Sequence, residues 1–219
     1  MRQELQYVGF FISLVSAAFL VVATWTDCWM VNADDSLEVS QKCRGLWWEC
    51  VTSTVDGIQT CDNYDSILAE HPLKLVVTRA LMIVTDILTG FAFIILILGL
   101  DCVKILKDHT PTKAKICLVA GIIQLIGGIP GMVGAVWYAI DVYVERSTLV
   151  IQNIFLGIQY QWGWSCWLAM AGSMGSLLSG TILCCCLSPL EGTASRSNSP
   201  TYRPGRSATG KMYALDTLV

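Results

Sequence analysis

The chain has 219 residues, of which 54% are hydrophobic and only 14% are charged, and its net charge is −3. This composition is too apolar for an ordinary soluble domain, and the apolar residues are grouped in long blocks. A membrane protein is therefore the expected class.

Four apolar blocks are long enough to cross a hydrocarbon core about 30 Å thick, which requires roughly 20 residues of helix. We predict transmembrane helices at residues 8–26, 75–102, 116–140 and 162–187. A signal-peptide cleavage site can be drawn at "SAA", residues 16–18. The apolar run nevertheless continues through "FLVVATW", which favours a first span that is retained.

Basic residues predict the orientation, because cytoplasmic loops of membrane proteins carry an excess of lysine and arginine. The loop at residues 103–115 carries four lysines, and the tail at residues 188–219 carries three arginines and one lysine. We therefore predict that residues 1–7 and the tail are cytoplasmic. The loops at residues 27–74 and 141–161 are then extracellular, as in a multi-pass protein of the plasma membrane.

A β-hairpin is predicted between Cys50 and Cys61, because β-branched residues flank an Asp-Gly turn signal. A four-residue loop at residues 54–57 brings the two cysteines opposite each other, so a disulfide is expected in this oxidising location. The same register places Glu49 opposite Asp62, and facing like charges destabilise a hairpin. Either a passing cation compensates this repulsion, or the register is shifted or both carboxylates are solvated.

The remaining cysteines fall into two groups. Cys28 and Cys43 lie in the first outer loop, and they either pair with each other or remain free. Cysteines at the inner membrane boundaries are candidates for S-palmitoylation, with small residues at a helix end as the alternative interpretation. These are Cys102, Cys184, Cys185 and Cys186.

Small and polar residues inside the spans predict how the helices pack. Span three is rich in glycine, which indicates close approach between helices of the same chain rather than a dimer motif. Pro130 is expected to bend this span. Asp86 in span two is either functional or hydrogen-bonded to a neighbouring helix, and we favour the hydrogen bond.

Residues of the first outer loop and of the start of span two resemble the signature motif of the claudins. They are Trp29, Gly45, Leu46, Trp47, Cys50, Cys61 and Arg79. Four spans, a large first and a small second outer loop and a short tail also match, so the resemblance covers essentially the whole chain. Within the family, "TWTDCWMVNADDSLEVS" and "YDSILAEHPLKLVVTRALM" resemble the claudin associated with renal magnesium and calcium reabsorption.

The resemblance implies a left-handed bundle of four helices beneath a small extracellular antiparallel β-sheet. Most of its strands come from the first loop and one comes from the second. It also implies that copies, identical or different, associate side by side in one membrane and head to head across the intercellular gap. The sheets then line paracellular pores of tight junctions.

The charge of the first loop predicts what passes such a pore. Residues 27–74 contain nine carboxylates and three basic side chains, a net charge of −6, and rings of carboxylates favour cations. In claudins that pass cations, the residue directly after the second cysteine is a pore-lining acid. We therefore predict that Asp62, followed by Asp65 and Glu49, lines a pore for magnesium, calcium or sodium.

The tail after residue 187 is rich in Ser, Gly, Pro and Thr and is expected to be disordered. Its last residues, Thr217, Leu218 and Val219, match a ligand that adds as a strand to a PDZ domain. The resemblance implies PDZ domains of zonula occludens scaffolds as partners.

One other function class fits the same motif, namely an auxiliary subunit that modulates a channel or receptor. An enzyme is not expected, because no nucleophile, base and orienting group form a constellation in the sequence. The two histidines, His71 and His109, lie on opposite sides of the predicted membrane and cannot form a metal pair. We expect no cofactor, no resident metal and no nucleic-acid partner.

Overall fold

The computed structural model describes residues 2–34, 40–53, 56–63, 73–100, 110–152 and 158–187. These residues form four long helices, each with a stretch that is long and apolar enough to cross a membrane. The predicted four-helix architecture is confirmed. The helices are α1 (Arg2–Trp25), α2 (Leu73–Gly99), α3 (Thr110–Gln152) and α4 (Trp164–Leu187).

The helix α3 lies between α2 and α4, while α1 packs mainly against α4. Glycines bring these helices close together. A Cβ atom built on Gly131 would lie 2.7 Å from Oγ of Ser173 in α4 and 2.8 Å from Cγ2 of Thr85 in α2. The glycines of span three therefore serve packing within the chain, as predicted.

Polar side chains inside the bundle bind to neighbouring helices. The carboxyl group of Asp86 in α2 lies close to the side chain of Thr24 in α1, whose hydroxyl donates a hydrogen bond of 2.9 Å to the carbonyl of Leu20. The Ser179 hydroxyl of α4 donates a hydrogen bond of 2.8 Å to the carbonyl of Gly9 in α1. The structure thus favours the interpretation of Asp86 as a contact between helices.

The helix α3 differs from the predicted span, because it continues beyond residue 140 to Gln152. Residues 135–152 contain neither glycine nor proline, so nothing in this stretch interrupts the helix. At 1.5 Å per residue, α3 is roughly 65 Å long, about twice the hydrocarbon thickness of a membrane. Much of the segment predicted as the second outer loop is therefore helical.

A five-stranded antiparallel sheet covers one end of the bundle. Its strands are arranged in the order β4-β3-β2-β1-β5, so β4 and β5 are the edges of the described sheet. Four strands come from the first loop and one from the second, which confirms the architecture implied by the resemblance. The strands are β1 (Met30–Asp34), β2 (Ser40–Arg44), β3 (Trp48–Ser53), β4 (Gln59–Asn63) and β5 (Ile158–Trp162).

The hairpin formed by β3 and β4 has the register expected from its turn. Cys50 lies opposite Cys61, and Glu49 lies opposite Asp62. Gly57 in the turn has a φ of 66°, a conformation that glycine adopts without a steric penalty. The alternative of a shifted register is therefore wrong, and the facing carboxylates require another explanation.

Candidate functional site

Trp29 joins the sheet to the bundle. Its side chain is completely buried, and its ring packs edge to face against Tyr138 of α3 with 5.1 Å between the centroids. Its indole Nε1 donates a hydrogen bond of 2.7 Å to the carbonyl of Ala23 near the end of α1. Since both the apolar ring and its polar nitrogen are satisfied, Trp29 fixes the start of β1 relative to two helices.

The turn between β2 and β3 is held by Arg79 of α2. The Arg79 Nε donates a hydrogen bond to the carbonyl of Leu46, and its guanidinium lies 5.2 Å from the ring centre of Trp47. Trp47 in turn stacks on Trp25 and donates a hydrogen bond of 2.9 Å to the carbonyl of Thr24. A cation–π contact and hydrogen bonds thus connect this turn to both α1 and α2.

Gly45 is required by a close approach of two backbones. A Cβ atom built there would lie 2.5 Å from the Cα of Asp27, too close for any other residue without a shift of the backbone. Gly163, directly after β5, makes a similar close approach to the backbone of Trp29. Its amide donates a hydrogen bond of 2.9 Å to the carbonyl of Trp29. The motif residues of the first loop therefore anchor the sheet on the helices.

Two disulfides reinforce the sheet. One joins Cys50 to Cys61, as predicted from the hairpin register, and the other joins Cys28 to Cys43. The structure thus decides between the two alternatives for Cys28 and Cys43. Cys43 also lies directly opposite Cys50 on the neighbouring strand, so the two disulfides are adjacent.

The carboxylate of Asp27 lies beside the hairpin disulfide. One of its oxygens and the sulfur atoms of Cys50 and Cys61 lie within 4.8 Å of one another. Both sulfurs are consumed in the disulfide, so this cluster offers a single carboxylate and is not a metal site. The Asp27 carboxylate instead accepts a hydrogen bond of 3.3 Å from Nε2 of Gln59.

Opposite charges face each other on the other surface of the sheet. Glu49 on β3 forms an ion pair with Lys42 and a second one with Arg44, whose Nε lies 3.5 Å from its carboxylate. Arg44 also lies 3.9 Å from the carboxylate of Glu145 on α3. Two basic residues of β2 therefore compensate the charge of Glu49, so the sheet does not depend on a passing cation for this purpose.

Asp62 is in a different environment. Its side chain is exposed on the edge strand β4, and it forms no ion pair within the described ranges. The side chain of Glu49, by contrast, is only 20% exposed. Of the two carboxylates that face each other in the hairpin, Asp62 is therefore the exposed one, and its charge is not compensated by an ion pair among the described residues.

The structure describes only some of the other predicted site residues. Cys184 is half-buried and Cys185 is exposed in the last turns of α4, and both are free thiols. Cys186 belongs to the same helix, but its side chain lies outside the described residues. The remaining predicted positions outside the described ranges are Asp65, Cys102, Thr217, Leu218 and Val219.

Sequence reasoning missed the basic partners of Glu49. Lys42 and Arg44 lie two residues apart, so both side chains project from the same face of a strand, which is a readable signal. The register of β2 against β3 brings these side chains to Glu49. The sequence does not predict this register, because the Gly-Leu-Trp connection between the two strands has no hairpin signature. Glu145 was assigned to a loop, and its position depends on the extension of α3.

Comparison with known proteins agrees with this architecture. The sequence profile of the PMP-22/EMP/MP20/Claudin family matches residues 3–183. Claudin-16 from Homo sapiens is 62% identical to this chain over the full length of both proteins. The chain belongs to the claudin family.

Other members are similar to this claudin to different degrees. Claudin-16 from Mus musculus is 60% identical, again over the full length of both chains. Claudin-7 from Homo sapiens is 30% identical over 83% of this chain and 85% of its own. With its four apolar helices, this claudin is a multi-pass membrane protein of tight junctions.

Proposed function

We propose that this claudin forms intercellular strands and a cation-selective paracellular pore, with its sheet in the space between cells. The orientation is supported by the lysines and arginines in the sequence stretches 103–115 and 188–219. The disulfides also support it, because disulfides persist in an oxidising environment. Both termini are then cytoplasmic.

The observation that carries the proposed selectivity is the difference between Asp62 and Glu49. The charge of Glu49 is compensated by Lys42 and Arg44, whereas Asp62 is exposed on β4 and forms no ion pair in the described part of the chain. At an effective dielectric constant near 20, a carboxylate 4 Å from a monovalent ion contributes about 4 kcal/mol before desolvation. Even a small remainder of this energy changes permeability severalfold.

The proposed pore requires more than one copy of the chain. Edge strands β4 and β5 present backbone groups that find no strand partner within the described sheet. Such edges are usually covered or paired. We infer that neighbouring claudins, identical or different, cover them in the strand, which would place Asp62 near a boundary between copies.

The identity of the main ion is a finer part of the proposal. A divalent ion gains twice the Coulomb energy of a monovalent one at the same carboxylate, but it also loses more hydration energy. Magnesium, calcium and sodium are all consistent with a single exposed acid. Asp65, which lies outside the described residues, is proposed as a second lining carboxylate.

The test is the permeability of an epithelial monolayer that expresses each variant at matched surface levels. Asp62→Asn keeps the size of the side chain and removes its charge, so strands should persist while the sodium-to-chloride and magnesium-to-sodium ratios change severalfold. Asp56→Asn is a matched control, because Asp56 is also exposed on this hairpin but lies in its turn. Unchanged ratios with Asp62→Asn, or an equal effect of Asp56→Asn, would contradict the assignment.

Strand formation itself needs a separate test, because other proteins with this loop motif modulate channels or receptors. We expect expression of this chain alone, in cells without junctions, to produce intercellular strands visible by freeze-fracture. Absence of strands together with altered gating of a partner channel would favour the role of an auxiliary subunit.

We further propose that the tail binds PDZ domains of zonula occludens scaffolds, with Val219 in the hydrophobic pocket and Thr217 in contact with the domain. A tail peptide without Val219, or with Thr217→Ala, should lose binding to junctional PDZ domains. Unchanged binding would refute the proposal.

Lipid attachment is proposed at the free cysteines Cys184 and Cys185 at the end of α4, and acyl-exchange labelling with single Ser variants tests it.

A further inference from the structure

A cavity of about 250 Å³ lies where α3, β5 and the start of α4 meet. Four aromatic side chains and one guanidinium line much of it. They are Tyr143 and Arg146 of α3, Tyr160 and Trp162 of β5, and Trp167 of α4. None of these residues belongs to the claudin motif or to the proposed pore, so the cavity requires its own explanation.

Two of the aromatic rings form a rigid corner. The ring centroids of Trp162 and Trp167 are 5.9 Å apart, and the ring planes are nearly perpendicular at 84°. The Nε1 of Trp162 donates a hydrogen bond of 3.1 Å to the carbonyl of Ala139, which fixes its orientation. Perpendicular indoles present two walls, which is the arrangement found in aromatic cages for quaternary ammonium groups.

The rings remain accessible although they are large and apolar. Tyr143 is 61% exposed, Trp162 is 44% exposed and Trp167 is 56% exposed. Aromatic residues that line a cavity and keep so much of their surface exposed are suited to a ligand that enters from the surrounding medium. The position of the cavity along the bundle indicates which medium that is.

The ion pair between Lys74 and Asp141 fixes the depth of the cavity. It places Asp141 of α3 level with the beginning of α2, where the apolar span starts. Along α3, Tyr143 lies about 3 Å and Arg146 about 7.5 Å beyond Asp141. The headgroup layer of a membrane extends roughly 5–7.5 Å beyond the hydrocarbon core on each side, so Tyr143 lies within this layer and Arg146 at its outer boundary.

We propose that this cavity binds the phosphocholine headgroup of a membrane lipid. The quaternary ammonium cannot donate a hydrogen bond, so it is recognised by the faces of aromatic rings, here those of Trp162, Trp167 and Tyr143. The phosphate accepts hydrogen bonds from the guanidinium of Arg146, whose planar donors suit phosphate oxygens. The acyl chains extend along the apolar surface of the spans.

The lining favours this headgroup over others of similar size. Among the described residues that line the cavity there is no carboxylate, so a primary ammonium such as that of ethanolamine finds no ionic partner. A headgroup with a phosphate alone interacts with Arg146 but leaves the aromatic corner unused. A second copy of the chain is the competing occupant, and the experiment distinguishes it.

The full chain, purified in an uncharged detergent, is mixed with equal amounts of phosphatidylcholine, phosphatidylethanolamine and phosphatidylglycerol with identical acyl chains. Bound lipid is then measured by native mass spectrometry. Phosphatidylcholine should be retained about fivefold or more over the other two lipids, and Tyr143→Leu and Trp167→Leu should each lower its retention about fivefold. Tyr143→Phe, which keeps the ring, should retain it.

Trp164→Leu is the matched control, because Trp164 is an exposed tryptophan one turn from Trp167 that does not line the cavity. Thermal unfolding establishes that each variant is folded. Equal retention of the three lipids by the wild-type chain would overturn the proposal. It is also overturned if Trp164→Leu matches Trp167→Leu, or if the cavity variants reduce cross-linking between copies while lipid retention is unchanged.

Discussion

Glu49 and Asp62 lie directly opposite each other on β3 and β4, yet they differ in their electrostatic surroundings. Glu49 forms ion pairs with Lys42 and Arg44, while Asp62 is exposed and has no ion pair within the described ranges. Two acidic residues that are equivalent in the hairpin therefore differ in how far their charge is compensated. In the proposed pore, the basic residues of β2 would determine how much negative charge this face presents to an ion.

This relationship predicts that Lys42→Gln increases cation preference. The substitution removes one of the two positive charges that compensate Glu49, so the potential near Asp62 becomes more negative. An exposed ion pair is worth up to about 1 kcal/mol, so the sodium-to-chloride permeability ratio should rise about two- to fivefold. Dilution potentials across a monolayer measure this ratio.

The double variant Lys42→Gln/Glu49→Gln is the control for that prediction. It removes both members of the pair and leaves the net charge of the face unchanged, so its permeability ratio should return to about the wild-type value. A ratio that stays high in the double variant would show that Lys42 acts on the ion directly and that its pairing with Glu49 is irrelevant.

The attachment of the sheet predicts a large effect of Trp29→Ala. The indole is fully buried between the sheet and the bundle and donates a hydrogen bond to Ala23. Replacing a buried tryptophan by alanine lowers the free energy of unfolding by about 3–5 kcal/mol. Thermal unfolding of the purified chain measures the loss, and Trp137→Ala, at an exposed tryptophan of α3, should have little effect.

Helix packing predicts opposite results for two glycines. A methyl group on Gly131 would collide with Ser173 and Thr85, so Gly131→Ala should destabilise the chain by about 1–3 kcal/mol. A methyl group on Gly90 would meet no atom within 4 Å, so Gly90→Ala should be neutral or stabilise by up to about 1 kcal/mol. Equal unfolding temperatures for the two variants would contradict the described packing of α3.

The predictable part of this fold consists of features that are written locally in the sequence. Apolar blocks of about 20 residues indicate the spans, and an Asp-Gly turn with a positive φ at Gly57 determines the register of Cys50 against Cys61. Beyond the hairpin of β3 and β4, a small antiparallel sheet was expected because the residues resemble the claudin motif, and its number of strands was not predicted. Spacing alone does not indicate that β5 pairs with β1.

The features that were not predicted depend on contacts between distant segments. The pairing of Glu49 with Lys42 and Arg44 requires the register of β2 and β3, and the contact between Arg44 and Glu145 requires a helix that continues beyond the membrane. The length of α3 was underestimated because the predicted span ended where the apolar block of the sequence ends. Helix propensity, with no glycine or proline in residues 135–152, indicates the correct extension.

The adjacent disulfides lead to the last prediction, which concerns Cys28→Ser. Loss of the Cys28–Cys43 bond removes a loop constraint worth about 3 kcal/mol, and it also leaves a thiol at Cys43 directly opposite Cys50. The Cys43 thiolate can attack the sulfur of Cys50, forming a Cys43–Cys50 bond and releasing Cys61 as a thiolate. We therefore expect peptide mapping by mass spectrometry without reduction to find this exchanged disulfide in Cys28→Ser.

In the double variant Cys28→Ser/Cys43→Ser the Cys50–Cys61 bond should remain intact, and surface expression should exceed that of the single variant. A single variant that contains only Cys50–Cys61 and a free Cys43, with expression equal to the double variant, would contradict the adjacency of the two bonds.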